Sequence, residues 1–218
     1  MKQTEIIRFG TQIVKYSVDK ELINEMLESS KKQTLPYNDK LVANIKNEYG
    51  FGFEEQKYFH PKIYPYLKDY VEKFIAPNDT DINFDVRIID MWVNFQKSGE
   101  YNPTHNHPGH LSFVFYLQIP EEIRMEQRDS FADPAGSITF TNQQFPKIYG
   151  IKDNLEYRID NAVLPQITYN SLPNTGDLFI FPSHINHEVQ SFSTPNIERV
   201  SLAGNSIVTG KYKVRRLV

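Results

Sequence analysis

The chain has no cysteine, so disulfides, thiolate catalysis and sulfur-ligated metals are excluded. Long apolar runs are also missing. No stretch approaches the roughly 18 residues of a helical membrane span, so no membrane association of that kind is expected. The first residues, Met1-Lys2-Gln3-Thr4-Glu5, lack the apolar core of a secretory signal, which leads to the expectation of a cytoplasmic protein. Neither sign of charge dominates. Lys and Arg number 24 against 27 Asp and Glu, for a net charge of −3 and a pI of about 6.1. Without a basic stripe, nucleic acid is not an expected partner. The basic run at 211–216 is short and reads as a solvated tail or an edge strand. Internal repeats and low-complexity tracts are absent. What the chain does have is 15 Phe and 13 Tyr beside one Trp, within a hydrophobic fraction of 39%. That supports a sizeable core, and these aromatics suit sheets. The length fits one domain over residues 1–218.

The most informative stretch is Tyr101-Asn102-Pro103-Thr104-His105-Asn106-His107-Pro108-Gly109. The two prolines disfavour a helix and push the residues before them to extended geometry. In a strand, residues two apart point to one face, roughly 7 Å apart at Cα. Two imidazoles placed this way can converge on one metal ion. A third histidine, His187, follows the apolar segment Gly176-Asp177-Leu178-Phe179-Ile180-Phe181. A close pair followed by a distant histidine suits a mononuclear site within a β-barrel. It is not the spacing of common zinc sites. Among six histidines, one such pair also arises by chance.

The rest of the pattern gives the frame. One or two short strands are expected over 5–16. Asp19 can cap a helix with the apolar face Leu22, Ile23, Met26 and Leu27. Residues 31–53 read as a long surface connection. A second helix is expected from His60 or Pro61 to Ile75, with Ile63, Tyr66, Leu67, Tyr70, Val71 and Phe74 inward. Strands follow over 84–95, 111–119, 136–141, 162–171, 176–181, 187–192 and 199–208. In the first of these, alternation puts Val86, Ile88, Trp92 and Asn94 on one face and Ile89, Met91, Val93 and Phe95 on the other. Residues 121–133 read as a charged loop and 142–160 as an insertion shaping selectivity. The expectation is a mainly β jelly roll over 84–208, supported by an N-terminal helical region, 1–83.

With the pieces Met91–Phe95, Gly99–Pro108, Leu111–Pro120, Gly136–Phe140, Gly176–Ser183, His187 and Arg199–Asn205 in this order, the chain resembles the 2-oxoglutarate/Fe(II)-dependent oxygenases. These share a double-stranded β-helix core. The match covers about 84–208 and looks closest to a subfamily found in bacteria and phages. The resemblance implies a dioxygenase that hydroxylates an unidentified small-molecule or peptide substrate and converts 2-oxoglutarate to succinate and CO2. It implies that His105 and His187 bind Fe(II). It also implies that Arg199, with Ser201 beside it, binds the far carboxylate of 2-oxoglutarate.

The residues themselves support part of this. Arg199, Ser201, Ala203 and Asn205 alternate along one face of a strand. The Arg fork suits a carboxylate, although a bland Arg could reach solvent or pair with Glu198 or Asp177. Asn94, Tyr116 and Tyr101 are further candidate cosubstrate contacts, each also readable as packing. In one respect the chain departs from the family. The usual triad is two histidines and a carboxylate, whereas His107 stands in the carboxylate position. Either His105, His107 and His187 form a three-histidine site, or Asp133 or Asp90 completes it. His184 is a rival ligand; His110 and His60 read as surface residues. Two other readings stay open: a three-histidine cupin-type dioxygenase that uses no 2-oxoglutarate, and a non-enzymatic jelly-roll binding module.

Overall fold

The computed structural model describes residues 2–9, 11–75, 82–126, 132–141 and 168–212. The expected insertion over 142–160, the first part of the strand at 162–171 and most of the basic run lie outside them. Twelve strands are present among the described residues: β1 Lys2–Phe9, β2 Thr11–Ser17, β3 Leu35–Pro36, β4 Asn47–Gly50, β5 Ile82–Gln96, β6 Asn102–His105, β7 Leu111–Gln118, β8 Ile138–Thr141, β9 Thr168–Ser171, β10 Asp177–Pro182, β11 Asn186–Val189 and β12 Arg199–Tyr212. Three α-helices join them: α1 Lys20–Ser30, α2 Phe53–Tyr70 and α3 Glu121–Met125. A large antiparallel sheet runs β1-β2-β10-β7-β12-β5-β4-β3, and a small one runs β6-β11-β8-β9.

The period-2 alternation of the central strands builds two cores. On the outer face of the large sheet, Val93, Phe115, Ile180 and Leu202 pack against Ile63, Leu67 and Tyr70 of α2 and Met26 of α1. On the inner face, Val114, Tyr116, Phe179 and Phe181 meet Ile138, Phe140 and Ile185 from the small sheet and its flank. This is the expected jelly roll.

Four details differ from the sequence reading. First, α2 begins at Phe53, and both Pro61 and Pro65 lie inside it. Gly52 occupies the cap position, and Glu54 and Glu55 stand in the first turn, where the helix dipole favours acids. Each proline removes a donor to the carbonyl four residues back. Lys57, Pro61 and Pro65 are all exposed, forming one solvent-facing stripe, so water can satisfy those carbonyls. Second, residues 31–53 are more than a connection, since they contain β3 and β4. Third, the start of the loop at 121–133 is the helix α3.

The fourth concerns β5. Asn205 pairs with Asp90, but Ser206 pairs with Ile88, so Ile89 is an extra residue on β5. A bulge of this kind reverses the parity of the strand. Val86 and Ile88 therefore join Met91, Val93 and Phe95 in the outer core, not Trp92 and Asn94 as simple alternation predicts. Beside the bulge, a Cβ on Gly204 would lie 2.7 Å from the Asp90 carbonyl and 2.6 Å from the Phe113 ring, so only glycine allows the approach. Asp19 does occupy the cap position of α1, but its side chain makes no cap hydrogen bond.

Candidate functional site

His105 closes β6 and is the register partner of His187 on β11. Their ring centroids are 4.3 Å apart. His107 lies beyond the strand. Its backbone N–H donates to the Ser183 carbonyl at 3.0 Å. Gly109, at φ 99°, then leads the chain into β7. His107 thus lies two residues past the end of β6, and the Ser183 carbonyl holds its backbone there. The His107 ring sits 4.8 Å from that of His105 and 5.1 Å from that of His187. The potential ligand atoms of the three all lie within 4.8 Å of one another.

Hydrogen bonds assign the protons. His105 Nδ1 is 2.7 Å from the Pro103 carbonyl, and His187 Nδ1 is 3.1 Å from the Ile185 carbonyl. Carbonyl oxygens only accept, so each Nδ1 carries the hydrogen and each Nε2 keeps its lone pair. Burial pushes the three imidazoles below their ordinary pKa, His107 to about 3 and His187 well down. For His107 and His187 the neighbouring rings add a repulsive contribution. Neutral imidazoles with free lone pairs are what a divalent metal takes. Among the described residues no carboxylate joins the group. Asp133 accepts from Thr139 Oγ1 at 2.6 Å, and Asp90 accepts from the Asn205 N–H at 3.1 Å.

The three histidines share a cavity with Arg199, Ser201, Asn94 and Trp92. Arg199 is only 2% exposed. One Nη donates to Gln96 Oε1 at 2.7 Å, and the guanidinium lies over the Tyr116 ring, 4.7 Å from its centroid. Its Nε and other Nη make no hydrogen bond of ordinary geometry, although the guanidinium and the Tyr116 hydroxyl lie close enough to stabilise each other. Among the described residues no carboxylate pairs with this cation. Asp177 instead accepts from the Asn174 N–H at 2.8 Å, and Glu198 lies 3.9 Å from Lys97. Burial lowers the Arg199 pKa and raises that of Tyr116 to about 12. A buried cation with two unused donors is costly unless an anion meets it.

The remaining candidates sort plainly. Tyr116 is buried beneath the guanidinium and does not line the cavity. Tyr101 is 44% exposed and away from it. Trp92 stacks on Tyr37 and leans on His107, with centroids 5.9 and 5.4 Å away. His110 accepts from the Val208 N–H, His60 contacts the Val86 carbonyl, and His184 stays outside the cluster. The sequence reading missed Gln96, which holds Arg199, and Asn102, which lines the cavity with an unpartnered Oδ1. Gln96 follows Trp92 and Asn94 at the same parity, so extending that strand by one residue would have found it.

No curated protein matches the chain. Among solved structures, it is similar to the viral collagen prolyl hydroxylase of Paramecium Bursaria Chlorella virus-1, solved as a 2OG complex. The identity is 13% and the TM-score 0.51, over 89% of this chain and 94% of that one. A 2OG-Fe(II) oxygenase family oxidoreductase from Burkholderia pseudomallei gives 11% identity and a TM-score of 0.54, over 89% and 84% of the two chains. The epimerase SnoN, in complex with Fe3+, alpha ketoglutarate and nogalamycin RO, gives 14% and 0.54 over 92% and 81%. These likenesses concern the fold. A family model described as "Putative 2OG-Fe(II) oxygenase" matches residues 90–205, more than half of the chain: the chain belongs to the 2OG-Fe(II) oxygenase family.

Proposed function

We propose that the protein is an Fe(II)- and 2-oxoglutarate-dependent dioxygenase in which His105, His107 and His187 hold the metal and Arg199 holds the far carboxylate of 2-oxoglutarate. The observation that carries this reading is the unsatisfied Arg199 guanidinium in the same cavity as three neutral imidazoles. When bound, iron and 2-oxoglutarate supply the oxidising chemistry for hydroxylation, with succinate and CO2 as coproducts. The chain's own residues supply position and charge. The Pro103 and Ile185 carbonyls fix the His105 and His187 rings with Nε2 free. Gln96 and the Tyr116 ring hold the guanidinium so that its free N–H bonds can meet a carboxylate. Ser201, on the same face, adds a neutral donor. Three neutral ligands leave the metal charge uncompensated, and Arg199 adds another positive charge. The site therefore selects a dianion. The substrate reading is a small molecule or a peptide, as in the named activities of the solved neighbours.

The absence of a carboxylate from the histidine cluster also favours a second reading, a three-histidine dioxygenase that needs no 2-oxoglutarate. Calorimetry separates the two. The Fe(II)-loaded wild type should bind 2-oxoglutarate without oxygen. Arg199→Ala removes one partner of a buried charge pair, worth about 3–5 kcal/mol, and should weaken binding by roughly two orders of magnitude or more with metal content intact. Arg199→Lys should recover part of the loss, because the charge remains and the fork is lost. Equal affinity in wild type and Arg199→Ala places the cosubstrate elsewhere; no binding to either favours the second reading.

A further inference from the structure

β4 carries a carboxyl group that the reading above leaves unused. Glu48 is 1% exposed, and its Oε1 has no hydrogen-bond partner. Its Oε2 accepts from Asn38 Nδ2 at 3.2 Å. Directly opposite on β5 stands Asn94. Opposed residues of antiparallel strands project to one face, with Cβ atoms about 4.5–5.5 Å apart. Glu48 and Asn94 are therefore side by side on the inner face. Asn94 lines the cavity, yet its Oδ1 is also buried without a partner.

Two adjacent buried acceptors, each lacking a donor, are costly. One proton resolves both, because a protonated carboxyl donates through its O–H and still accepts. No cation holds Glu48 ionised: among the described residues no Lys or Arg pairs with it, and the Asn38 amide reaches only Oε2. Glu100 faces it with a like charge, its own oxygens accepting from the Lys46 and Lys97 N–H groups at 3.2 and 2.9 Å. Tyr37 and Lys40 stand on the segment before β4, where Lys40 lies over the Tyr37 ring. Arg199, on β12, is held by Gln96, and the cavity histidines are the other titratable groups on this face. Burial, then Glu100, push the Glu48 carboxyl up to about 8.

We propose that Glu48 is a positioning residue acting through Asn94: its protonated carboxyl donates to Asn94 Oδ1 and so turns the Asn94 amide N–H bonds into the cavity, toward the oxygen atoms of the cosubstrate. The link to the cosubstrate rests on the reading of the cavity as the 2-oxoglutarate site; the hydrogen bond to Asn94 does not. When Glu48 loses its proton, the amide reverses to donate to the carboxylate. Its oxygen then faces the cavity and repels a dianion.

Difference infrared spectroscopy on the metal-free full chain tests the bond itself. At neutral pH the wild type should show a protonated-carboxyl C=O band that Glu48→Gln lacks and that titrates away at alkaline pH. Calorimetry on the Fe(II)-loaded, oxygen-free proteins tests the consequence. Glu48→Ala should bind 2-oxoglutarate roughly ten-fold more weakly. Glu48→Gln, whose amide N–H can donate to Asn94 Oδ1, should restore most of that loss. Wild-type affinity should fall as pH rises past about 8, while that of Glu48→Gln stays level. A wild type without the band at neutral pH overturns the proposal, and so do equal pH slopes in wild type and Glu48→Gln. Should Glu48→Ala fail to fold, the wild type and Glu48→Gln decide alone. Should the wild type bind no 2-oxoglutarate, the reading of the cavity fails, and the band still decides the Glu48–Asn94 contact.

Discussion

The two faces of the large sheet are built from the same strands and are equally dry, yet they differ in kind. Val200 is 1% exposed and Arg199, beside it in sequence, is 2% exposed. Val200 belongs to the outer core with Leu202, Phe115 and the apolar face of α2. Arg199 points the other way and keeps two nitrogens without partners. On the inner face Asn94, Glu48 and Tyr116 also carry buried polar atoms without partners. Buried polar groups are ordinarily satisfied, and a group that is not invites a specific explanation. Burial therefore does not separate scaffold from site in this protein. Hydrogen-bond satisfaction separates them better: among the described residues, every buried side-chain atom without a partner except Ser30 Oγ on α1 lies on or against the inner face.

That contrast can be broken or sharpened. The largest effect is expected from the outer face. Leu67 is fully buried in α2, and Leu67→Ala should cost about 2–5 kcal/mol in denaturant unfolding. The 2-oxoglutarate affinity of the folded protein should stay the same. A parallel loss of affinity would show that the faces are coupled. A smaller effect of opposite sign is expected from the inner face. Arg199→Met removes a buried cation that no carboxylate pairs among the described residues, so the metal-free fold should become more stable, by about 1–4 kcal/mol. Destabilisation would mean that the contacts with Gln96 and Tyr116 outweigh the cost of the buried charge.

The smallest effect is on pH dependence, again in the metal-free protein. The ordinary histidine pKa is 6.5, and in the fold all three site imidazoles lie below it. Between the folded and unfolded values the unfolded chain binds more protons. Stability is thus fully present above about 6.5 and is lost as pH falls toward the folded values. The raised Glu48 carboxyl works in the opposite sense over the same range, so the histidine part is read as the difference in thermal unfolding between wild type and His107→Gln from pH 7 to 5: the wild type should lose more stability. A difference independent of pH would place the His107 imidazole in water.

The histidine pair, the distal histidine and the order of the strands could be read from the chain because each depends on local sequence. Proline exclusion, period-2 alternation and an apolar run before His187 need no tertiary information. The start of α2 could not be read this way. Two prolines argue against a helix there, and only the outward placement of Pro61 and Pro65 in the fold removes the objection. The bulge at Ile89 was hidden for a related reason, since parity along a strand is set by its partner, and Gly204 on β12 is far away in sequence. Residues 31–53 look polar and loop-like, yet β4 places Glu48 against Asn94. His107 was found by an argument that holds for strands, although it lies past the end of β6, where the Ser183 carbonyl holds its backbone.

The central claim is that the inner face holds Fe(II) and 2-oxoglutarate together. Its most direct test is visible absorption of the wild-type protein, loaded with Fe(II) and titrated with 2-oxoglutarate in the absence of oxygen. A metal-to-ligand charge-transfer band should grow and saturate at one 2-oxoglutarate per iron, and it should fail to form in His187→Ala, which lacks a metal ligand. A wild type that binds iron but gives no band, or a His187→Ala protein that gives the full one, would contradict the account.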